Sequence, residues 1–161
     1  MDTIGEKMIE LKILGAENFP EIMAFDKLCF PTDCWKEEDM KGLLEEDRAI
    51  YYALMDGDKL VGDAFIYNWK GEHDYVKLMN LAVHPDYRGQ GLAHKLLNHV
   101  TEEMVKDEMY RFCGETRSTN YGMQKVFEDC GYKLNRVEEN YFDNPPESAY
   151  KYVLQIEGSQ A

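Results

Sequence analysis

Leu81-Ala82-Val83-His84-Pro85-Asp86-Tyr87-Arg88-Gly89-Gln90-Gly91-Leu92-Ala93 runs from an apolar segment through a glycine-rich turn into an amphipathic one. The stretch after it, residues 91–106, places Leu92, Ala93, Leu96, Leu97, Val100 and Met104 on one helical face and turns Lys95, Asn98, Glu102 and Glu103 away. The stretch before it, residues 75–83, has an apolar C-terminal half, as a buried central strand does. A helix start leaves unpaired N–H groups at the positive end of its dipole, and small residues such as Gly89, Gly91 and Ala93 let an anion come close to them. Arg88 can add a charge-assisted bond, so the turn suits a pyrophosphate. A plain glycine-rich turn is the alternative. There is no GxxxxGK[ST], and His94 stands where a GxGxxG fingerprint needs its third glycine.

Working outward, residues 8–14 alternate as a strand, and Ile22, Phe25, Leu28 and Cys29 give helical spacing over 17–30, stopped by Pro31. A second helix is predicted over 36–46, with Glu37, Glu38 and Asp39 in its first turn. Strands over 49–55 and 59–68 flank the hairpin signal Asp56-Gly57-Asp58. A strand over 110–116 precedes a helix over 120–130, with Asn120 at its N-cap and Gly131 as its stop. Strands over 132–142 and 149–156 close the chain. The single strand–helix–strand crossover from 75 to 116 predicts one parallel pair in an otherwise antiparallel sheet covered on both faces.

The net charge of −13 argues against a nucleic-acid partner; it suits a cationic acceptor or simple solubility. No apolar run has the length of a membrane span, and the first residues lack the pattern of a signal peptide, so a cytoplasmic, single-domain protein over residues 1–161 is expected. Cysteines 29, 34, 113 and 130 form no CxxC pair and are expected to be mostly buried thiols; the histidine spacing suggests no metal.

The opening stretch resembles the acetyl-CoA motif of the GNAT N-acetyltransferase superfamily, Gln/Arg-x-x-Gly-x-Gly/Ala, matched by Arg88, Gly91 and Ala93. Asn120 followed by Cys130-Gly131-Tyr132 is similar to that family's Asn-helix-Gly-Phe segment, and Leu28-Cys29-Phe30-Pro31 resembles the end of its first helix. Cys29-Phe30-Pro31, Glu115 and Asn140-Tyr141-Phe142 look like the branch that acetylates the N-terminal amines of ribosomal proteins. The resemblance covers residues 8–156 and implies an α/β (α+β) fold, a mixed, mostly antiparallel seven-stranded sheet with about four helices on its two faces.

By position, the resemblance implies that the backbone of Leu81, Ala82 and Val83 pairs with the pantetheine arm of acetyl-CoA. Arg88 and the N–H groups of Gly89, Gln90, Gly91, Leu92, Ala93 and His94 would hold the pyrophosphate, and Asn120 would bond the pantetheine or only cap its helix. Glu115 would be the base that frees an amine, or an exposed strand carboxylate. The family's tyrosine beside the coenzyme sulfur is here Phe127, which has no proton to give and also suits core packing. Tyr121, Tyr132, Tyr141 or a water could replace it; Tyr141 is the foremost of these, with ordinary strand packing as its alternative reading. Phe30, Trp35 and Phe142 are candidate acceptor contacts or core residues. The implied function is transfer of an acetyl group to the primary amine of a peptide or small molecule in a ternary complex, by a monomer or homodimer with no nucleic-acid or membrane partner. A coenzyme-A-binding module with little catalysis is the alternative that Phe127 raises, and a nucleotide-binding domain is a third.

Overall fold

In the computed structural model, which describes residues 2–4 and 7–157 and side chains from residue 9, the central strands are covered on both sides. β3 (Ala49–Asp56) shows how this arises. Tyr51, Ala53 and Met55 join one apolar cluster, and Tyr52 and Leu54, which alternate with them, join a second. Side chains on successive strand residues point to opposite faces, so a strand apolar at every position must be clad twice.

The first cluster is capped by α1 (Phe19–Cys29) and α2 (Glu37–Leu44) through Ile22, Met23, Phe25 and Met40. The second is capped by α3 (Leu92–Lys106) and α4 (Tyr121–Asp129) through Leu92, Leu96, Leu97, Val100, Val126 and Phe127. Each large side chain so buried contributes about 1.5–3 kcal/mol relative to exposure.

The remaining strands are β1 (Asp2–Ile4), β2 (Lys7–Leu14), β4 (Lys59–Asn68), β5 (Val76–Val83), β6 (Arg111–Arg117), β7 (Lys133–Phe142) and β8 (Glu147–Gln155). The sheet order is β1-β2-β3-β4-β5-β6-β8-β7, with β5–β6 parallel and the other neighbours antiparallel. The seven expected strands, the crossover and the four helices are all present; the three-residue β1 at the sheet edge is an addition that its few residues gave no pattern to reveal. The β3–β4 connection is the tight turn expected, with Asp56 opposite Lys59 and Gly57 at φ 63. At the end of α4, Gly131 adopts φ 92 and the Tyr132 N–H bonds the Phe127 carbonyl, which terminates the helix.

Two expectations are corrected. β5 is central along only part of its length: it meets β4 throughout but β6 at Val76 and Lys77 alone, so its apolar C-terminal half is buried by helices rather than by strands on both sides. The four cysteines are free thiols, as expected, but half-buried rather than buried.

Asp63 is the least comfortable group in the core. Its Oδ2 accepts the Tyr51 hydroxyl at 2.5 Å, while its buried Oδ1 has no partner of good geometry. Burial pushes its carboxyl up to about 7, opposed by the Tyr51 hydroxyl and helped by the charge of Asp26. The same burial raises Asp26, against the hydrogen bonds it accepts from the Trp35 N–H and Asn80. A folded pKa above the unfolded one gives stability that is complete below the unfolded value and lost as pH rises through the folded one. Carboxyls with lowered pKa, such as Glu115 and Glu147, act in a more acid window. The thermal midpoint is therefore expected to fall as pH rises from 5 to 8, by an amount on the order of 3 kcal/mol in stability. Asp63→Asn should flatten that slope; a slope unchanged in the variant would refute the assignment.

Candidate active site

β5 and β6 part company after Lys77 and Cys113. A bulge contributes: Phe65 and Ile66 of β4 face Asn80 and Leu78, which leaves Met79 as an extra residue in β5. Asn80 is anchored on the α1 side, where its Nδ2 donates to Asp26 at 2.8 Å and its Oδ1 accepts the Trp35 indole N–H at 2.9 Å. β6 meanwhile follows β8 over its whole length. From Leu78 to Val83 one edge of β5 therefore faces no strand, and a cleft opens along it.

The cleft holds two adjoining cavities. One, of about 610 Å³, is lined by Leu81, Ala82, Val83, Arg88, Gly89, Gly91, Leu92, Ala93, His94 and Asn120. It contains every expected cofactor contact except Gln90, which is exposed and off its wall, and Phe127, which lines the other cavity. Gly89 and Gly91 adopt φ of 80 and 77, and a Cβ on either would meet nothing within 4 Å. They are glycine for backbone conformation, not for want of room. Gly91 is the N-cap of α3; no side chain caps that helix and its first turn carries no acid, so its leading N–H groups face the cavity uncompensated.

Three expected contacts are partly engaged. Arg88 Nε donates to the Val83 carbonyl at 3.0 Å, leaving its two terminal NH₂ groups. The His94 ring is tied to Asp129 at 2.9 Å. Asn120 Oδ1 caps α4 through the Met123 N–H at 3.1 Å, so its Nδ2 is the group left for a ligand.

The second cavity, of about 310 Å³, brings together Glu115, Tyr141, Phe30, Trp35, Phe142 and Phe127. These six come from four separate parts of the chain. Phe127 is buried, stacked on Tyr152 at 4.9 Å, and its ring would lie 2.8 Å from a Cβ at Gly114. It is a core residue whose ring edge reaches the wall of the smaller cavity. Of the possible replacement donors, Tyr132 is buried against Phe127 at 5.1 Å, and Tyr121 is 71% exposed and lines neither cavity. Tyr141 lines the cavity beside Glu115, close enough to hold that carboxyl's pKa down. Burial, then the bond to Glu115 and the charge of that carboxylate, push the phenol up to about 12.

Glu115 is not a bare strand carboxylate. Its Oε1 accepts Lys77 Nζ at 3.0 Å, and Lys151 Nζ lies 3.9 Å away. Burial pushes the carboxyl up, but the Tyr141 hydroxyl and the two ammonium groups outweigh it and hold it below the usual glutamate value. Lys151 extends the row to Glu138 at 3.1 Å and sits 4.5 Å from the Tyr141 ring centre.

Lys77, Lys151, Asn80, Arg117, Asp33 and Glu147 were missed from the sequence. For Arg117 a signal existed: two residues after Glu115 on a strand, it shares that residue's face. The others meet the site only through pairing across strands or through loops, which one sequence does not display. Among the described residues no group of three His, Cys, Asp or Glu could hold a metal ion, and no helix is long and apolar enough to cross a membrane.

Comparison with known proteins follows the same lines. The model of the acetyltransferase (GNAT) family matches residues 19–132. The [ribosomal protein bS18]-alanine N-acetyltransferase of Escherichia coli (strain K12) is 33% identical over 69 residues, 43% of this chain and 47% of that protein. In that alignment the chain spans about half the length of its curated relative. A putative [ribosomal protein bS18]-alanine N-acetyltransferase of Bacillus subtilis (strain 168) is 25% identical over 133 residues, 83% of this chain and 86% of that one. Among solved structures, the ribosomal-protein-S18-alanine N-acetyltransferase from Escherichia coli superposes with a TM-score of 0.84 at 23% identity, covering 94% of this chain and 96% of that one. Arabidopsis thaliana NAA60 in complex with acetyl-CoA gives 0.82 at 14%, covering 92% and 100%.

The balance at Glu115 can be tested directly. With Lys77→Met, one of the groups that opposes burial is lost, and the Glu115 pKa read by carbon NMR should rise. An unshifted titration would show that Lys77 does not hold the carboxylate in its charged form.

Proposed function

The chain belongs to the acetyltransferase (GNAT) family, and from that premise we propose that it is an N-acetyltransferase that moves the acetyl group of acetyl-CoA to a primary amine. The amine is that of a peptide N-terminus or a small molecule, attacking directly in a ternary complex. The observation that carries this is the single cleft in which an unpaired β5 edge runs between an uncapped helix start and the Glu115–Tyr141 pair. The described residues act as one catalytic unit, cytoplasmic, as a monomer or homodimer, without a nucleic-acid or membrane partner.

In this scheme the N–H and C=O groups of Leu81 and the N–H of Val83, which point away from β4, take up the pantetheine amides as an added strand would. The α3 N-terminus and the terminal NH₂ groups of Arg88 hold the pyrophosphate. A backbone N–H near Leu81–Val83 stabilises the oxyanion of the tetrahedral intermediate. Glu115, kept ionised by Lys77 and Lys151, receives the proton of the attacking amine directly or through a water. Tyr141 protonates the departing thiolate. A phenol near 12 is a weaker acid than a thiol near 8.5, so it releases its proton only as the neighbouring Glu115 hands it the captured one. One proton leaves the amine, one reaches the sulfur, and both side chains return to their starting state.

A hydroxyl at Tyr141 supplies what Phe127 lacks, so the binding-only alternative is not favoured. The resemblance of Glu115 and Asn140-Tyr141-Phe142 to the ribosomal-protein branch, and the bS18-alanine enzymes among the relatives, support a protein N-terminus as the acceptor.

The deciding experiment measures thiol release from acetyl-CoA over a panel of N-terminal peptides and small amines, with mass spectrometry of products. Acceptor-dependent release is expected; saturable coenzyme binding without release from any acceptor would establish the binding-only alternative instead. Gly91→Val forces a β-branched residue into left-handed backbone and should weaken acetyl-CoA binding by roughly tenfold or more in calorimetry. Phe127→Tyr should keep turnover, or raise it, with coenzyme affinity within about twofold of the parent; a large loss of turnover at unchanged affinity would contradict the assignment of the donor to Tyr141.

A further inference from the structure

The side chain of Arg117 spends every donor it has. Its Nε and one NH₂ group form a fork on Asp33, both bonds at 2.7 Å. The remaining N–H groups go to the carbonyls of Asp143 at 2.8 Å and Pro145 at 2.9 Å and to Glu147 at 3.1 Å. A guanidinium has five N–H donors in a fixed fork, and all five are used. Asp33 belongs to the loop between α1 and α2; Asp143 and Pro145 belong to the loop between β7 and β8, which opens at Glu147. Arg117 itself is the last residue of β6. One side chain thus ties together two loops more than a hundred residues apart in sequence.

These loops carry the walls of the smaller cavity. Phe30 and Trp35 flank the Asp33 segment, and Phe142 lies 4.7 Å beneath the guanidinium. Glu147 reinforces the second loop by also accepting the Ser118 hydroxyl and the N–H and hydroxyl of Thr119. Asp33 and Arg117 line both cavities, so their bridge lies where donor and acceptor spaces meet. The Arg117 side chain is 16% exposed and Glu147 13%, so solvent screens the cluster less than it does a surface pair.

We propose that Arg117 is a positioning residue that sets acceptor affinity by holding the α1–α2 and β7–β8 loops at a fixed separation, without contributing to acetyl-CoA binding. The proposal rests on the acetyltransfer reading above. Lysine cannot replace arginine here, because a single ammonium carries charge but not the planar fork that reaches Asp33 and the opposite loop together.

The test uses Arg117→Lys and Asp33→Asn in the full chain. In Arg117→Lys, the acceptor KM should rise by about tenfold or more, with kcat within about threefold and acetyl-CoA affinity within about twofold. Asp33→Asn, which frees one loop only, should give a smaller rise in the same parameter. Loss of folded protein alone would lower kcat and leave both substrate constants unchanged. Backbone hydrogen exchange gives a readout independent of catalysis. Segments 31–35 and 143–148 should both exchange faster in Arg117→Lys, and only 31–35 in Asp33→Asn, while 78–83 and 92–97 exchange as in the parent. An unaltered acceptor KM in Arg117→Lys, an equal weakening of acetyl-CoA binding, or no acceleration in either loop would each overturn the proposal. If the parent protein releases no thiol with any acceptor, the acetyltransfer reading falls while exchange still decides whether Arg117 clamps the loops.

Discussion

Everything distinctive in this molecule depends on β5 and β6 separating after two residue pairs. A parallel pair continued to Val83 would satisfy the strand edge and close the cleft. Instead β5 is held back by β4 and by the Asn80 anchor beneath α1, with Met79 bulged out. β6 is drawn the other way by an unbroken ladder with β8. Exposed strand edges are usually shielded because they invite pairing with another chain. This one is shielded by position: it lies between helices, where an extended molecule can reach it and a second sheet cannot. The uncapped start of α3 lies along the same cleft, so backbone geometry alone sets an open strand edge beside unpaired helix N–H groups.

The charges of the site run against those of the chain. At −13 overall, the protein nevertheless places two lysines against Glu115 and spends Arg117 on two carboxylates. In a partly buried cleft an unpaired carboxylate would take up a proton. Tyr141, Lys77 and Lys151 prevent that at Glu115, whereas at Asp63 the Tyr51 hydroxyl opposes burial without a cation to help it, and the pKa lies near neutrality. Two acids in one sheet are thereby kept in different states by their neighbours.

Much of the fold was legible because its cues are local. Periodicity at Leu92–Met104, the stop at Gly131 and the Asp56-Gly57-Asp58 turn each depend on residues a few positions apart, and each element formed within a residue or two of where they point. The glycines of the anion turn were legible for the same reason. What escaped notice is long-range: the departure of β6 from β5, the lysines behind Glu115, and the loops joined through Arg117, whose partner Asp33 is 84 residues away. Glu115 and Tyr141 line one cavity, but their juxtaposition comes from β7 returning beside β8, a pairing that no short window of sequence encodes.

Gly114 and Phe127 have a meaning beyond packing. The ring of one occupies the space where the other would carry a side chain. Position 114 cannot gain a side chain alone: a larger residue there has to be met by a smaller one at 127. Whatever aromatic ring stands at 127, a hydroxyl-bearing one included, therefore sits in a shape that the glycine leaves open.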